Sequence, residues 1–237
     1  TFNQEFKLSS TDADSNLSWD VGGFYQNSDK LLETSAFIDS SFDPTNLSGN
    51  FIDLAAGDFT NTYKTLAAFG FLDYKLSEKL TIAAGLRYDK DNIRHENRTP
   101  PSGEPSPELL ERTDSQLQPK ISISLQATES TLMYVNYGKG YRSGGFNQAE
   151  TVRFNKSYEP EITDNFEFGV KNSLWDDRFI LNLAGYYIDF SNQQQYALLL
   201  DGLNGKIFIG NFNFDESKSY GFEADFKLRP SKYFDIF

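Results

Sequence analysis

The side chains most able to do chemistry fall in a few short stretches. Glu159 and Glu161 flank Pro160. On an extended segment their Cα atoms lie about 6.5–7 Å apart, within the range an inverting glycosidase uses. An acidic chain also supplies such pairs by composition alone, and Pro160 reads as the entry to a strand. Asp12, Asp14 and Asn16 are spaced like the start of an EF-hand loop, but Leu17 stands where that loop needs glycine and no glutamate closes it. The stretch reads as a polar tight turn. Gly138-Lys-Gly-Tyr-Arg-Ser-Gly-Gly145 is rich in glycine without the phosphate-loop spacing, and no helical pattern follows it. Its glycines fit a strand that bends into a loop and approaches neighbouring backbone closely. His95 is the single histidine, among Arg94, Glu96 and Arg98. It reads as a solvated loop residue, since one imidazole without partners does not make a metal centre. Tyr141, Arg142, Phe146 and Asn147 sit where a strand meets a long loop. There a guanidinium could grip a carboxylate or catecholate and the rings could stack on a ligand. Alternatively, Arg142 pairs with a carboxylate of the protein itself. These four are the candidate ligand-binding residues; no catalytic residue, cofactor or metal ligand is assigned.

Composition narrows the class. Of 237 residues, 22 are Phe, 13 Tyr and 2 Trp, so disorder is excluded. Mean hydropathy is -0.53, and the longest apolar run, Leu66–Leu72, is far short of the roughly 18 residues of a membrane helix. Membrane β-barrels stay open, because their lipid-facing residues alternate with polar ones. A net charge of -12 argues against a nucleic-acid partner. With no cysteine there is no disulfide framework and no thiol nucleophile. The chain ends in an apolar-alternating run, Tyr233–Phe237, and reads as a piece of a longer one.

The elements that must position these residues are strands. Leu80, Ile82, Ala84, Leu86 and Tyr88 alternate with Thr81, Ala83, Gly85 and Arg87; Ile121, Ile123 and Leu125 alternate with Lys120, Ser122 and Ser124; Tyr220, Phe222, Phe226 and Leu228 alternate with Gly221, Glu223, Asp225 and Lys227. Period two puts one set on each face. About ten strands are expected, near 2–9, 17–27, 62–76, 79–91, 118–126, 131–142, 162–174, 178–190, 207–228 and from 233 onward. Short joins at 10–16, 77–78, 127–130, 175–177 and 229–232 alternate strictly with long ones at 28–61, 92–117, 143–161 and 191–206. An up-and-down meander then places every short turn at one end and every long loop at the other, as outer-membrane barrels do. The first long loop carries six carboxylates against Lys30 alone, which suits divalent cations bridging lipopolysaccharide or simple solubility. Arg87, Glu167, Lys171, Glu223, Asp225 and Lys227 share the polar register, as a wet lumen requires. Tyr74, Trp175, Tyr233 and Phe234 near short turns, and Tyr25, Tyr88, Tyr141, Tyr187 and Phe190 before long loops, read as two aromatic girdles.

Thr131-Leu-Met-Tyr-Val-Asn-Tyr-Gly-Lys-Gly-Tyr-Arg-Ser-Gly-Gly-Phe-Asn147 strongly resembles a segment of TonB-dependent outer-membrane receptors of the siderophore type. Tyr158–Lys171 resembles the segment that follows it there, and Thr1–Leu8, Ala84–Asp89 and Ser219–Asp225 resemble further ones in the same order. The resemblance implies an antiparallel up-and-down transmembrane β-barrel, all-β and 22-stranded in that family, closed around an N-terminal plug whose TonB box couples transport to the inner membrane. Residues 1–237 would then be part of the barrel domain, with plug and final strands absent, located in a Gram-negative outer membrane. The implied partners are outer-membrane lipid and lipopolysaccharide, a ferric siderophore or other nutrient (oligosaccharide, cobalamin, haem), and TonB through the plug. Two other classes fit an all-β chain. An outer-membrane protease or lipase would need a triad that one histidine hardly supplies. A soluble carbohydrate-binding β-sandwich would fold without detergent.

Overall fold

Where one face of a strand meets an apolar phase and the other a wet one, side chains must alternate and neighbouring strands must keep register. This chain does both. The computed structural model describes residues 1–12, 14–39, 49–98, 106–147, 155–200, 207–231 and 233–236. It contains β1 (Phe2–Ser9), β2 (Leu17–Asp39), β3 (Phe51–Lys75), β4 (Leu80–Asn97), β5 (Glu108–Thr128), β6 (Thr131–Arg142), β7 (Gly145–Phe146), β8 (Ser157–Tyr158), β9 (Glu161–Leu174), β10 (Phe179–Leu200), β11 (Ile207–Ser231) and β12 (Phe234–Ile236). Ten of them form one antiparallel sheet in the order β1-β2-β3-β4-β5-β6-β9-β10-β11-β12, while β7 and β8 pair only with each other. The sheet is an all-β meander that does not close, with β1 and β12 at its edges.

One register row shows the pattern. Leu17, Tyr74, Ile82, Ile123, Val135, Phe168, Gly185 and Phe222 are successive cross-strand partners over eight strands. Every member is apolar except Gly185, and a Cβ there would sit 3.2 Å from the Phe222 ring, so the ring covers the glycine. One residue along, Ser18, Asp73, Ala83, Ser122, Asn136, Glu167, Tyr186 and Gly221 make the adjoining, mostly polar row. Ser122 donates to Asn136 at 2.6 Å, and a shallow groove runs over Phe71, Asp73, Lys120, Ser122 and Asn136.

Burial is inverted relative to a water-soluble domain. Glycines apart, the buried residues are Ser28, Asp89, Asp91, His95, Asn97, Asp114, Asn147 and Gln194, with Ala67 and Ile93 the apolar exceptions among the described residues. Phe222 is 94% exposed, and Leu66, Val135, Phe166 and Phe168 are about half exposed or more. An apolar surface this continuous marks contact with another apolar phase. Aromatics bound it: Tyr74, Trp175, Tyr233 and Phe234 at the short-turn end, Tyr25, Tyr88 and Tyr187 on the other side, all exposed. From Leu17 to Tyr25 the chain runs nine residues, which matches the 9–11 of a tilted crossing.

The expected loops were too long. β2 continues past Tyr25 to Asp39, β4 past Tyr88 to Asn97, and β10 past Tyr187 to Leu200; β3 begins at Phe51 and β5 at Glu108. The segments 28–39 and 51–61, 92–97, 108–117 and 191–200 are therefore strand rather than loop. The reason is physical. Beyond the aromatic belt both faces meet water, so apolar alternation fades while the backbone ladder goes on, as at Asp29↔Thr62 and Lys30↔Asn61. Asp43, counted in the acidic loop, lies outside the described residues. The first four short turns stand as expected, while at the fifth β11 runs on to Ser231; at the first, Asp12 accepts from the Asp14 amide and Ser15 from that of Leu17, the geometry of a polar turn.

Because the apolar face must stay in hydrocarbon, Val135→Arg should destabilise the membrane-inserted protein by about 2–4 kcal/mol, whereas Asn136→Arg, one residue along, should cost far less. Urea titration of the protein refolded into lipid vesicles measures both.

Candidate functional site

The buried polar residues gather on the polar face beyond the aromatic belt, where a connection departs from the wall and returns. β5 pairs with β6 only from Thr128↔Thr131 up to Lys120↔Gly138, although its ladder with β4 runs on to Asn97↔Glu108. The β6 ladder stops next to Pro119, which has no N–H to give. Above that point β6 keeps pairing with β9 as far as Arg142↔Glu161, and the β5 edge is left to other partners. Residues 143–147 and 155–160, which include the β7–β8 pair, dock there as a strap.

Arg112 is the centre of that docking. Its guanidinium grips Asp114 two residues on, with Nε and Nη2 contacts of 2.7–3.1 Å. It also donates to the Tyr158 carbonyl at 2.8 Å and reaches Glu159 at 3.2 Å. Asp114 in turn accepts from the Gly144 amide at 3.1 Å. Gly144 has to be glycine, since a Cβ there would collide with the Tyr158 carbonyl and with Arg112. The same device recurs lower on the wall, where Arg87 holds Asp89 with two 2.7 Å bonds. The far end of the strap is tied to β10 and β11. Gln194 donates to the Ser143 and Glu159 carbonyls at 2.9 and 3.0 Å, and Asn213 bonds Glu159 through both amide ends. Just before Gln194, Asn192 interrupts the β10–β11 ladder at φ 53°, a conformation asparagine tolerates.

His95 lies under the strap. It is fully buried, opposite Asn61 on β3, with its Nδ1 2.7 Å from Asn61 Oδ1. The rings of Phe59 and of Phe146 in the strap stand 5.5 and 5.8 Å from it, centroid to centroid. Its Nε2 has no hydrogen-bond partner. The residue sits on β4 beyond Tyr88 and the aromatic belt, outside the membrane-crossing part. Burial, reinforced by the nearby Lys156 ammonium and opposed by Glu108, pushes its pKa down. Lys156 itself pairs with Glu108 at 2.6 Å.

The expectation of a solvated loop histidine is thus overturned. Arg94 and Glu96, its immediate neighbours, point to the opposite face of the strand, and the strap covers His95 from above. The four candidate ligand-binding residues do not converge. Arg142 is exposed, with no ion pair among the described residues. Tyr141 keeps its hydroxyl buried without a hydrogen-bond partner. Phe146 packs on His95. Asn147 is buried and bonded to Asn155, to Lys156 and, through both amide ends, to Asn211. Glu159 and Glu161, the carboxylate pair, are spent on Arg112 and on the Gln194 amide. Sequence reading passed over Arg112, Asp114 and Gln194 because they fell in stretches read as loop. A signal existed: Arg87/Asp89 and Arg112/Asp114 are opposite charges two apart, the spacing that shares a face of a strand.

The whole chain, residues 1–237, matches the family described as TonB dependent receptor-like, beta-barrel. The pesticin receptor of Yersinia enterocolitica (serotype O:8, biotype 1B) is 24% identical over 176 residues, which cover 74% of this chain and 25% of that protein. Among solved structures, the ferric yersiniabactin uptake receptor of Yersinia pestis superposes with a TM-score of 0.72 at 19% identity, over 97% of this chain and 32% of that one. The copper transporter OprC gives 0.72 at 14% identity, over 97% and 35%. The chain spans about a quarter of the length of the first of these relatives and about a third of the solved chains.

Arg112→Met should strand the Asp114 carboxylate, which is 7% exposed, and destabilise the strap by about 3–5 kcal/mol. Pairing it with Asp114→Asn should recover much of that loss in a double-mutant cycle read by protease resistance of the connection.

Proposed function

The chain belongs to the TonB-dependent receptor β-barrel family, a family of transport receptors rather than enzymes, and from that membership we propose that residues 1–237 form part of the barrel domain of an outer-membrane active-transport receptor in a Gram-negative bacterium. Its cargo would be a ferric siderophore or a similarly scarce nutrient, and its energy would come through TonB acting on a plug domain. The observation that carries the reading is the inverted burial, with charged and amide side chains inside and Phe, Leu and Val outside, bounded by aromatics at both ends. Lipid and lipopolysaccharide are the partners such a surface fits. A soluble carbohydrate-binding sandwich would have to hide that same surface from water.

Ferric cargo is favoured by the relatives. A receptor whose name states ferric yersiniabactin uptake shares the fold, and pesticin receptors share sequence over most of the chain. The copper transporter superposes equally well, so the barrel wall does not choose the ligand. Choice belongs to side chains at the mouth. Of the four candidates, Arg142 is the one whose charge is turned to solvent and uncommitted, and it suits an anionic chelate. Tyr141 lies beside it on the same strand. Phe146 and Asn147 act through the strap that they hold in place.

Arg142→Ala in the complete receptor should weaken uptake of the cognate ferric chelate by about tenfold to a hundredfold, the worth of one charged hydrogen-bonded contact. Uptake of radiolabelled iron by cells relying on this receptor measures it, and unchanged uptake and affinity would remove Arg142 from the site.

A further inference from the structure

We propose that His95 is a proton-sensitive latch, holding the strap (residues 143–147 and 155–160) against β3 and β4 while its imidazole is neutral and releasing it when the imidazole is protonated. The inference rests on how the ring is held and does not depend on what the receptor carries.

The imidazole packs against Phe59 of the wall strand β3 and against Phe146 of the strap, and so touches both. One nitrogen is satisfied by Asn61 Oδ1, which takes the Nδ1 proton and leaves Nε2 as a bare acceptor in a fully buried place. A neutral ring tolerates this arrangement at modest cost. A protonated ring does not. It would carry a full charge in a place closed to water, with a second N–H that has nothing to bond.

The charged surroundings do not relieve that charge. From the strap, Lys156 faces it and repels it. From β5, Glu108 faces it, but that carboxylate is already engaged by Lys156 at 2.6 Å. From β3 the facing side chains are Phe59 and Asn61, which do not ionise. Lifting the strap would remove Phe146 and Lys156 together and let water reach Nε2. The open form therefore binds the proton better than the closed one.

The direction of the pH effect follows. The closed-state pKa lies below the ordinary value of about 6.5, and the open-state value is close to it. Above that pH the ring is neutral in both forms and the strap has its full stability. As pH falls below it, the open form gains a proton that the closed form refuses, and the open-to-closed ratio rises by up to about tenfold per pH unit until the closed form titrates too.

The test uses the complete receptor in detergent micelles. Hydrogen exchange of peptides containing the Gly144 and Asn147 amides is followed from pH 7.5 to 5, corrected for intrinsic exchange. The His95 resonance, assigned by its loss in His95→Gln, is titrated alongside. In the wild type, strap opening should rise by up to about tenfold per pH unit below 6.5; His95→Gln should abolish the rise, and Lys156→Met should make it shallower. Opening that ignores pH in the wild type, a rise that persists in His95→Gln, or a His95 that titrates near 6.5 with the strap closed would each overturn the proposal. If His95→Gln does not fold, the pH dependence of the wild-type strap amides and its slope in Lys156→Met decide it.

Discussion

A peptide group in hydrocarbon has no water to bond, so every N–H and C=O within the membrane must find its partner in the sheet. This requirement organises the rest of the chain. It forces long continuous ladders, and it makes a one-residue slip intolerable, since a slip would exchange the Ile123–Val135–Phe168 row for the Ser122–Asn136–Glu167 row. On the lipid side the ring of Phe222 lies over Gly185, and on the polar side that of Tyr186 lies over Gly221. The ring covers what the glycine leaves bare, and the ladder continues beneath.

An exterior built for hydrocarbon leaves the interior to polar groups, and polar groups packed away from water have to satisfy one another. The wall meets this with short, local solutions where it can, as in the forks from Arg87 to Asp89 and from Arg112 to Asp114. Where β6 leaves β5 beside Pro119 the local solution runs out, and the chain itself returns as a strap to occupy the gap. The strap is thus part of the wall's hydrogen bonding as well as a covering for it. His95 shows what such an interior tolerates when a partner is missing: a lone acceptor, held neutral by its surroundings.

How much of this the sequence disclosed depended on the solvent each segment meets. The number of strands in the main sheet, their meander, the short turns and the two faces were legible, because lipid on one side writes period two into residues such as Leu80–Tyr88. The upper reaches of β2, β4 and β10 were not, because water on both sides erases that contrast while pairing persists. His95 was misread for the same reason. Its charged neighbours, Arg94 and Glu96, advertise a solvated loop, yet in a strand they describe only the opposite face. The Arg-x-Asp spacing was readable in principle. The tie from Asn147 to Asn211 was not, since nothing local in either residue announces a partner so far along the chain.

The height of the wall has its own consequence. Past Tyr25, β2 runs on for fourteen residues to Asp39, about 45 Å along the strand and roughly 30 Å above the aromatic belt once a tilt near 45° is allowed for. A parapet of this height stands well clear of the apolar band. Its backbone ladder holds it up. Where its side chains are turned to water, as those of Arg94 and Glu111 are, substitutions cost the fold least. Such a rim can change its face to the outside world while the wall below it stays the same.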